Sequence, residues 1–199
     1  DQSEKPATSL YSECISAYAR SRHQNSSSKA MHLFDELIQL YESTGDPEFC
    51  PDSNLFGATI NAICKSKSKG DAQLRNAIQL LDKMEKSFDD GIFDEGPNRY
   101  AYTSILSAVS QSKVSDSHVL AEDLLRRMNR RFRKVNDSSI LPDGVAYTAL
   151  IQTLARSSCP DKIDRAQKWF AEMESRFTEG NPDLKPNKIS YTALINCWR

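Results

Sequence analysis

No stretch of this 199-residue chain stays apolar long enough to span a bilayer, and no signal-peptide pattern stands at its start. Its five cysteines, Cys14, Cys50, Cys64, Cys159 and Cys197, are odd in number and contain no C-x-x-C pair. That suits free buried thiols in a reducing compartment and speaks against a disulfide framework. Three histidines, His23, His32 and His118, fall at unrelated places, so no metal site is supported. There is no H-x-E with a following C-x-x-C, no glycine-rich phosphate loop and no serine–histidine–aspartate arrangement. Neither catalysis nor a cofactor is therefore expected. An excess of one charge is missing as well. The 26 Lys and Arg against 27 Asp and Glu leave a net charge of −1, so bulk charge does not advertise a polyanion partner. The chain starts at Asp1, without a methionine, and stops at Arg199 inside an apolar-periodic segment, and it reads as a piece of a longer protein.

What the sequence does hold is a repeat. The stretch Pro142-Asp143-Gly144-Val145-Ala146-Tyr147-Thr148-Ala149-Leu150-Ile151 returns as Pro186-Asn187-Lys188-Ile189-Ser190-Tyr191-Thr192-Ala193-Leu194-Ile195. Looser copies begin at Pro97, Pro51 and Pro6. The anchoring aromatic moves from Tyr11 to Phe56, Tyr102, Tyr147 and Tyr191, in steps of 45, 46, 45 and 44 residues. A period in this range marks a stacked array whose units contact only their neighbours. The repeats run over about residues 8–52, 53–98, 99–143 and 144–187, with a partial unit at 188–199, in one array covering 1–199.

Each unit reads as two helices. In the first, apolar residues recur with helical spacing at 147, 150, 151 and 154, and Asp52, Asn98, Asp143 and Asn187 stand where a helix wants an N-cap. The second helix has its own pattern, a small Ala30, Ala77, Ala121 or Ala166 followed by bulky residues and closing near Met84, Met128 or Met173. A small residue there lets two helix backbones approach closely. Ser-, Gly- and Asp-rich joints separate the helices, and longer polar joints precede each proline (43–50, 88–96, 135–141 and 178–185). The expected fold is all-α, an α-solenoid of antiparallel helix pairs with four pairs and a final first helix. The anchoring aromatics, Trp169 and Trp198 lie on apolar stripes and are expected in the core.

The combination of Pro-Asx, Tyr-Thr-Ala-Leu-Ile, a central alanine and a terminal methionine resembles the pentatricopeptide repeat family, over about Pro6 to Arg199. The glycine and tryptophan signature of tetratricopeptide repeats is missing from the corresponding helices. The unit is longer than that family's usual one, with the extra residues in both joints. The resemblance implies a right-handed superhelical array that binds single-stranded RNA, one nucleotide per repeat. It implies base-reading pairs Ser12 with Asp52, Gly57 with Asn98, Thr103 with Asp143, and Thr148 with Asn187, and Thr192 as a fifth reader. The implied target is purine-rich, roughly G-A-G-A. Bases would be wedged by Tyr100, Val145 and Ile189, and phosphates approached by Arg20, Lys65, Arg156 and Arg199. Ser9 and Asn54 depart from the apolar wedge and Gln111 from the cation. The family's home is the mitochondrion or plastid, in RNA processing, stability, editing or translation.

Charge placement is the internal check on that expectation. First-helix segments hold Arg20, Lys65, Lys67, Lys69, Arg99, Lys113, Arg156, Lys188 and Arg199 against Glu13 and Asp143. That is a surplus of seven positive charges in a chain of net −1, the footprint of a polyanion partner. A denser run, Arg126, Arg127, Arg130, Arg131, Arg133 and Lys134, falls on a second helix and reads as a solvated face near a helix C-terminus. The rival to RNA is a protein-interaction scaffold, because helical-repeat grooves also hold peptides. A third reading has a catalytic domain beyond Arg199, with this part addressing it.

Overall fold

Short polar residues set where the helices begin. Asp52 accepts a hydrogen bond from the Leu55 amide at 2.7 Å, and Asp143 one from Ala146 at 2.9 Å. Asn98 accepts from Tyr100 and Ala101, and Asn187 from Ile189 and Ser190. Each satisfies an amide that the first helical turn leaves without a partner. At Asn187 the cap is reciprocal, because the Ser190 hydroxyl accepts from the Asn187 amide at 2.9 Å.

The computed structural model describes residues 8–21, 25–65, 71–112, 114 and 116–199, so Lys67, Lys69, Lys113 and His23 lie outside the described residues. Among the described residues every regular element is helical. The first helices are α1 (Thr8–Ser21), α3 (Ser53–Cys64), α5 (Arg99–Gln111), α7 (Gly144–Arg156) and α9 (Lys188–Asn196). The second helices are α2 (Ser26–Thr44), α4 (Asp71–Asp89), α6 (Ser117–Val135) and α8 (Lys162–Thr178). They fall into two compact units, one ending at Ile105 and the other running from Leu106 to Arg199. In the first unit α1 packs on α2 and α3, and α3 on α2 and α4. In the second, α7 packs on α6, α8 and α9, and α8 also on α9.

The repeated small residues lie at these contacts: Ala30, Ala77, Ala121 and Ala166 are all 0% exposed. Tyr11, Phe56, Tyr102 and Tyr147 are buried with them, whereas Tyr191, expected in the core with the rest, is 47% exposed. The hydroxyls of the later tyrosines obey a rule of their own. Eight residues beyond the preceding repeat's alanine, the chain carries Ile38, Glu85, Asn129 and Glu174. Tyr102 donates to Glu85, and Tyr191 to Glu174 at 3.3 Å. Asn129 lies beside the hydroxyl of Tyr147, which donates to Glu172 at 3.0 Å. Burial raises the Tyr147 pKa well above the ordinary tyrosine value. The one phenylalanine in the series, Phe56, is matched by the one apolar residue, Ile38. Phe56 sits instead in an aromatic cluster with Phe34 at 4.9 Å and Phe93 at 5.6 Å between ring centres. A buried hydroxyl, as in Tyr102 and Tyr147, needs a partner and a buried phenyl ring must not have one, while the exposed Tyr191 keeps the same kind of pair at the surface.

The longer joints are not plain loops. Three contain a one-turn 3₁₀ helix, Pro47–Phe49, Ser138–Ile140 and Pro182–Leu184, each capped by an Asx side chain (Asp46, Asp137, Asn181). Each turn buries one apolar residue, Phe49, Ile140 or Leu184. The second helices are also long, 19, 19, 19 and 17 residues. The added length of the repeat thus lies partly in ordered helix and in these plugs, and not in flexible insertions alone. One plug packs against Gly144: a Cβ there would lie 3.1 Å from the Asp183 carbonyl oxygen.

Besides Tyr191, three sequence expectations need correction here. The basic run on α6 is not a uniform solvated face. Arg131 is only 7% exposed, because it continues the stripe of Ala121, Leu124 and Met128 at helical spacing. Arg126 binds Glu122 at 2.8 Å. Trp169 is buried, but Trp198 is 64% exposed. Its counterpart Leu154, at the same register of α7, is 0% exposed. The cysteines are all free, yet only Cys197 is fully buried and Cys14 is exposed.

One buried carboxylate ties α6 to α8. Glu122 accepts from Arg165 Nε at 2.9 Å and Nη2 at 2.8 Å, from Arg126 at 2.8 Å and from Trp169 Nε1 at 3.1 Å. Burial alone would raise its pKa. The hydrogen bonds from Arg165 and Trp169 and the two guanidinium charges outweigh it and hold the carboxyl below its ordinary value.

Candidate nucleic-acid interface

The expected readers occupy one register near the start of each first helix, and their hydroxyls are placed unusually. Those of Ser12, Thr103 and Thr148 are buried and have no hydrogen-bond partner. Thr148 as a whole is 7% exposed. Other helical threonines avoid this state by donating back along the helix, as Thr59 does to Leu55 and Thr153 to Ala149, both at 2.8 Å. Thr192, in the reading register but exposed, does the same to Lys188 at 2.7 Å. An unpaired buried hydroxyl costs about 1–3 kcal/mol. Three in one register are a standing cost that a polar ligand edge would remove, once the side chain turns to meet it.

The expected second readers are the helix caps themselves, so each has one atom committed to the cap. Asp52, Asp143 and Asn187 use Oδ1 in the cap. Among the described residues the Asn187 Nδ2 and the second oxygens of Asp52 and Asp143 have no partner. Asn98 is more fully engaged, since its Nδ2 donates to Ser53 Oγ at 2.9 Å. Capping holds these side chains in a fixed orientation, which is what a reading group needs.

The structure brings some of these residues together. A Cβ on Gly57 would lie 3.7 Å from Asn98 Oδ1, so this reader and its mate are neighbours. Thr103 and Asp143 belong to different compact units. No hydrogen bond joins Ser12 to Asp52 or Thr148 to Asn187 among the described residues. Ser12 and Arg20 line a shallow groove of about 570 Å³ along α1, with Glu13, Cys14, Ser16 and Ala17.

The clearest grouping lies between α7 and α9. A groove of about 450 Å³ there is lined by Gln152, Ala155, Arg156, Lys188, Ile189, Thr192, Ala193, Asn196 and Arg199. Arg156, Ile189, Thr192 and Arg199, all expected at the RNA, meet in it, with Lys188 of the first-helix cations beside them. Its wall carries three cations and no carboxylate. Arg156 already gives one guanidinium hydrogen to the Ser110 carbonyl at the end of α5, which leaves its other donors for a ligand. Arg199 falls one residue short of the register shared by Arg20, Lys65 and Arg156, yet it lines the same groove. Compared with models of known protein families and with curated proteins, the chain matches none of them.

The expected wedges are all surface groups. Tyr100, Val145 and Ile189 are 72%, 56% and 60% exposed, each at the second position of its helix. Large apolar side chains held in water at one register are available to stack on a flat ligand. Arg20 and Lys65 are exposed, while Arg99 has a partner within the protein. No helix among the described residues is long and apolar enough to cross a membrane, and none of those residues forms a cluster suited to a metal ion.

The plugs Phe49, Ile140 and Leu184, and the tyrosine partners Glu85, Asn129 and Glu174, escaped the reading of the sequence. A signal for the plugs exists: an apolar residue two places before the proline in three of the four long joints.

Proposed function

We propose that this chain is a sequence-selective single-stranded RNA-binding module, a solenoid of pentatricopeptide-like repeats that reads purine-rich RNA roughly as G-A-G-A. The groove between α7 and α9 carries the proposal. Three cations without a carboxylate suit a phosphodiester, an exposed Ile189 suits the face of a base, and Thr192 offers a hydroxyl beside them. The spare atoms on the capping Asx residues add donors and acceptors of defined direction. Recognition of single-stranded bases needs such a combination of flat apolar surface, oriented polar groups and backbone cations. The same reading carries a mitochondrial or plastid location, and a role that addresses a transcript for processing, stability, editing or translation.

The test is direct binding of fluorescent oligoribonucleotides at fixed salt. A single-stranded RNA of alternating guanine and adenine should bind at least tenfold more tightly than a pyrimidine RNA of equal length, and binding should weaken as salt rises. Equal binding of both sequences would refute base reading, and failure to bind either would refute RNA binding altogether. The exposed apolar stripe Tyr191, Ile195 and Trp198 favours a second reading, a scaffold that docks helices of partner proteins. The second outcome would select it.

A further inference from the structure

A second polar row runs beside the reading register. Four residues beyond Ser12, Gly57, Thr103, Thr148 and Thr192 stand Ser16, Asn61, Ser107, Gln152 and Asn196. All five are neutral and polar, and all five are half-buried. None of their side chains hydrogen-bonds to protein among the described residues. Half-exposed positions on a surface helix commonly take charged residues, and this register takes none.

Its position along the helix gives the row a meaning. The reading residue and the cation are eight residues apart, as in Thr148 and Arg156, which is about 12 Å along the helix axis. The second row lies midway, about 6 Å from each, on the same side. A nucleotide reaching from reader to cation has its base at one end, its phosphate at the other and its ribose between them. Gln152 and Asn196 both line the groove that holds Arg156 and Thr192.

We propose, resting on the RNA-binding reading above, that Gln152 and Asn196, with Ser16, Asn61 and Ser107 in the same register, hydrogen-bond the ribose 2′-hydroxyl and make the protein select RNA over DNA. The side-chain chemistry fits. A 2′-hydroxyl both donates and accepts, and so do a carboxamide and a serine hydroxyl, whereas a lysine could only donate and a carboxylate only accept. A neutral row also leaves attraction of the phosphates to the cations at the helix end.

The experiment compares the full chain with Gln152→Ala/Asn196→Ala, and with Asn61→Ala in the other unit, on three single-stranded probes of one alternating guanine–adenine sequence: ribose, deoxyribose and 2′-O-methyl ribose. These half-exposed sites tolerate alanine, and circular dichroism checks that the fold is kept. The unchanged chain should prefer the ribose probe to both others. Each variant should lose about two- to tenfold of that preference per contact removed, while its ranking of bases stays as before. Equal binding of ribose and deoxyribose probes by the unchanged chain would overturn the proposal and leave base reading intact. Undiminished preference in the folded variants would overturn it as well. Binding to none of the probes would instead remove the RNA reading on which it rests.

Discussion

Replacing Glu122 with alanine should destabilise the second unit more than any surface change in it. The carboxylate side chain is 4% exposed and takes four hydrogen bonds, two from Arg165, one from Arg126 and one from Trp169. Arg165 is itself only 26% exposed, so truncation strands a largely buried guanidinium and an indole N–H. Removing one partner from such a pair costs about 3–5 kcal/mol. In a chain of this size that lowers the melting temperature by roughly 6–20 °C. Glu122→Gln retains one acceptor oxygen and the shape, and should lose about 2 kcal/mol. The pH dependence separates charge from shape. Because the folded pKa is depressed, the charged carboxylate stabilises fully above the unfolded value of about 4.3, and that share is lost as pH falls through the folded value. The gap between the unchanged chain and Glu122→Gln should therefore be constant at pH 6–8 and shrink progressively below about pH 4.3. Melts followed by circular dichroism across that range measure it. An alanine variant within about 0.5 kcal/mol of the unchanged chain would refute the reasoning.

Two further substitutions test the packing rules. Ala166→Leu puts a large side chain into a contact that is 0% exposed, and should cost about 1–3 kcal/mol in thermal or denaturant unfolding. Phe56→Tyr adds a hydroxyl beside Phe34 and Phe93 with Ile38 in the partner position, and should cost about 1–3 kcal/mol. Adding Ile38→Glu should recover part of that loss, so the double variant is more stable than the sum of the two single effects predicts.

The sequence carried the parts of this fold that depend on local chemistry. An Asx residue at the head of an apolar-periodic segment is a cap on any reading, and Asp52, Asn98, Asp143 and Asn187 all cap. The alanines at 30, 77, 121 and 166 declared close helix contacts by being small and regularly placed. What stayed hidden depends on two elements at once. Tyr102 and Glu85 are 17 residues apart on different helices, and no single periodicity links them. Arg131 looked like part of a surface run because charge outweighs position in such a reading, although its register is that of the core. The plugs were masked by the polar residues around them. At the interface, the pattern marked which residues share a register, but it could not reveal that the Thr148 hydroxyl is buried and unpaired while that of Thr192 is exposed and satisfied. That difference comes from what packs around each helix.

The central claim is that capping Asx residues read bases, and Asn187 offers the cleanest measurement of it. Its Oδ1 is held by the Ile189 and Ser190 amides, which leaves Nδ2 as the free reading group. Asn187→Asp keeps the cap, as Asp143 shows at the head of α7, and turns the free atom from a donor into an acceptor. The measurement is a competition among four RNAs that differ only at the nucleotide facing this repeat, at fixed salt, with Arg156→Ala run beside it. The account predicts that Asn187→Asp shifts the preference from adenine towards guanine, by about 1–3 kcal/mol, while Arg156→Ala weakens all four alike and flattens the salt dependence. An unchanged ranking in a folded Asn187→Asp protein would contradict it.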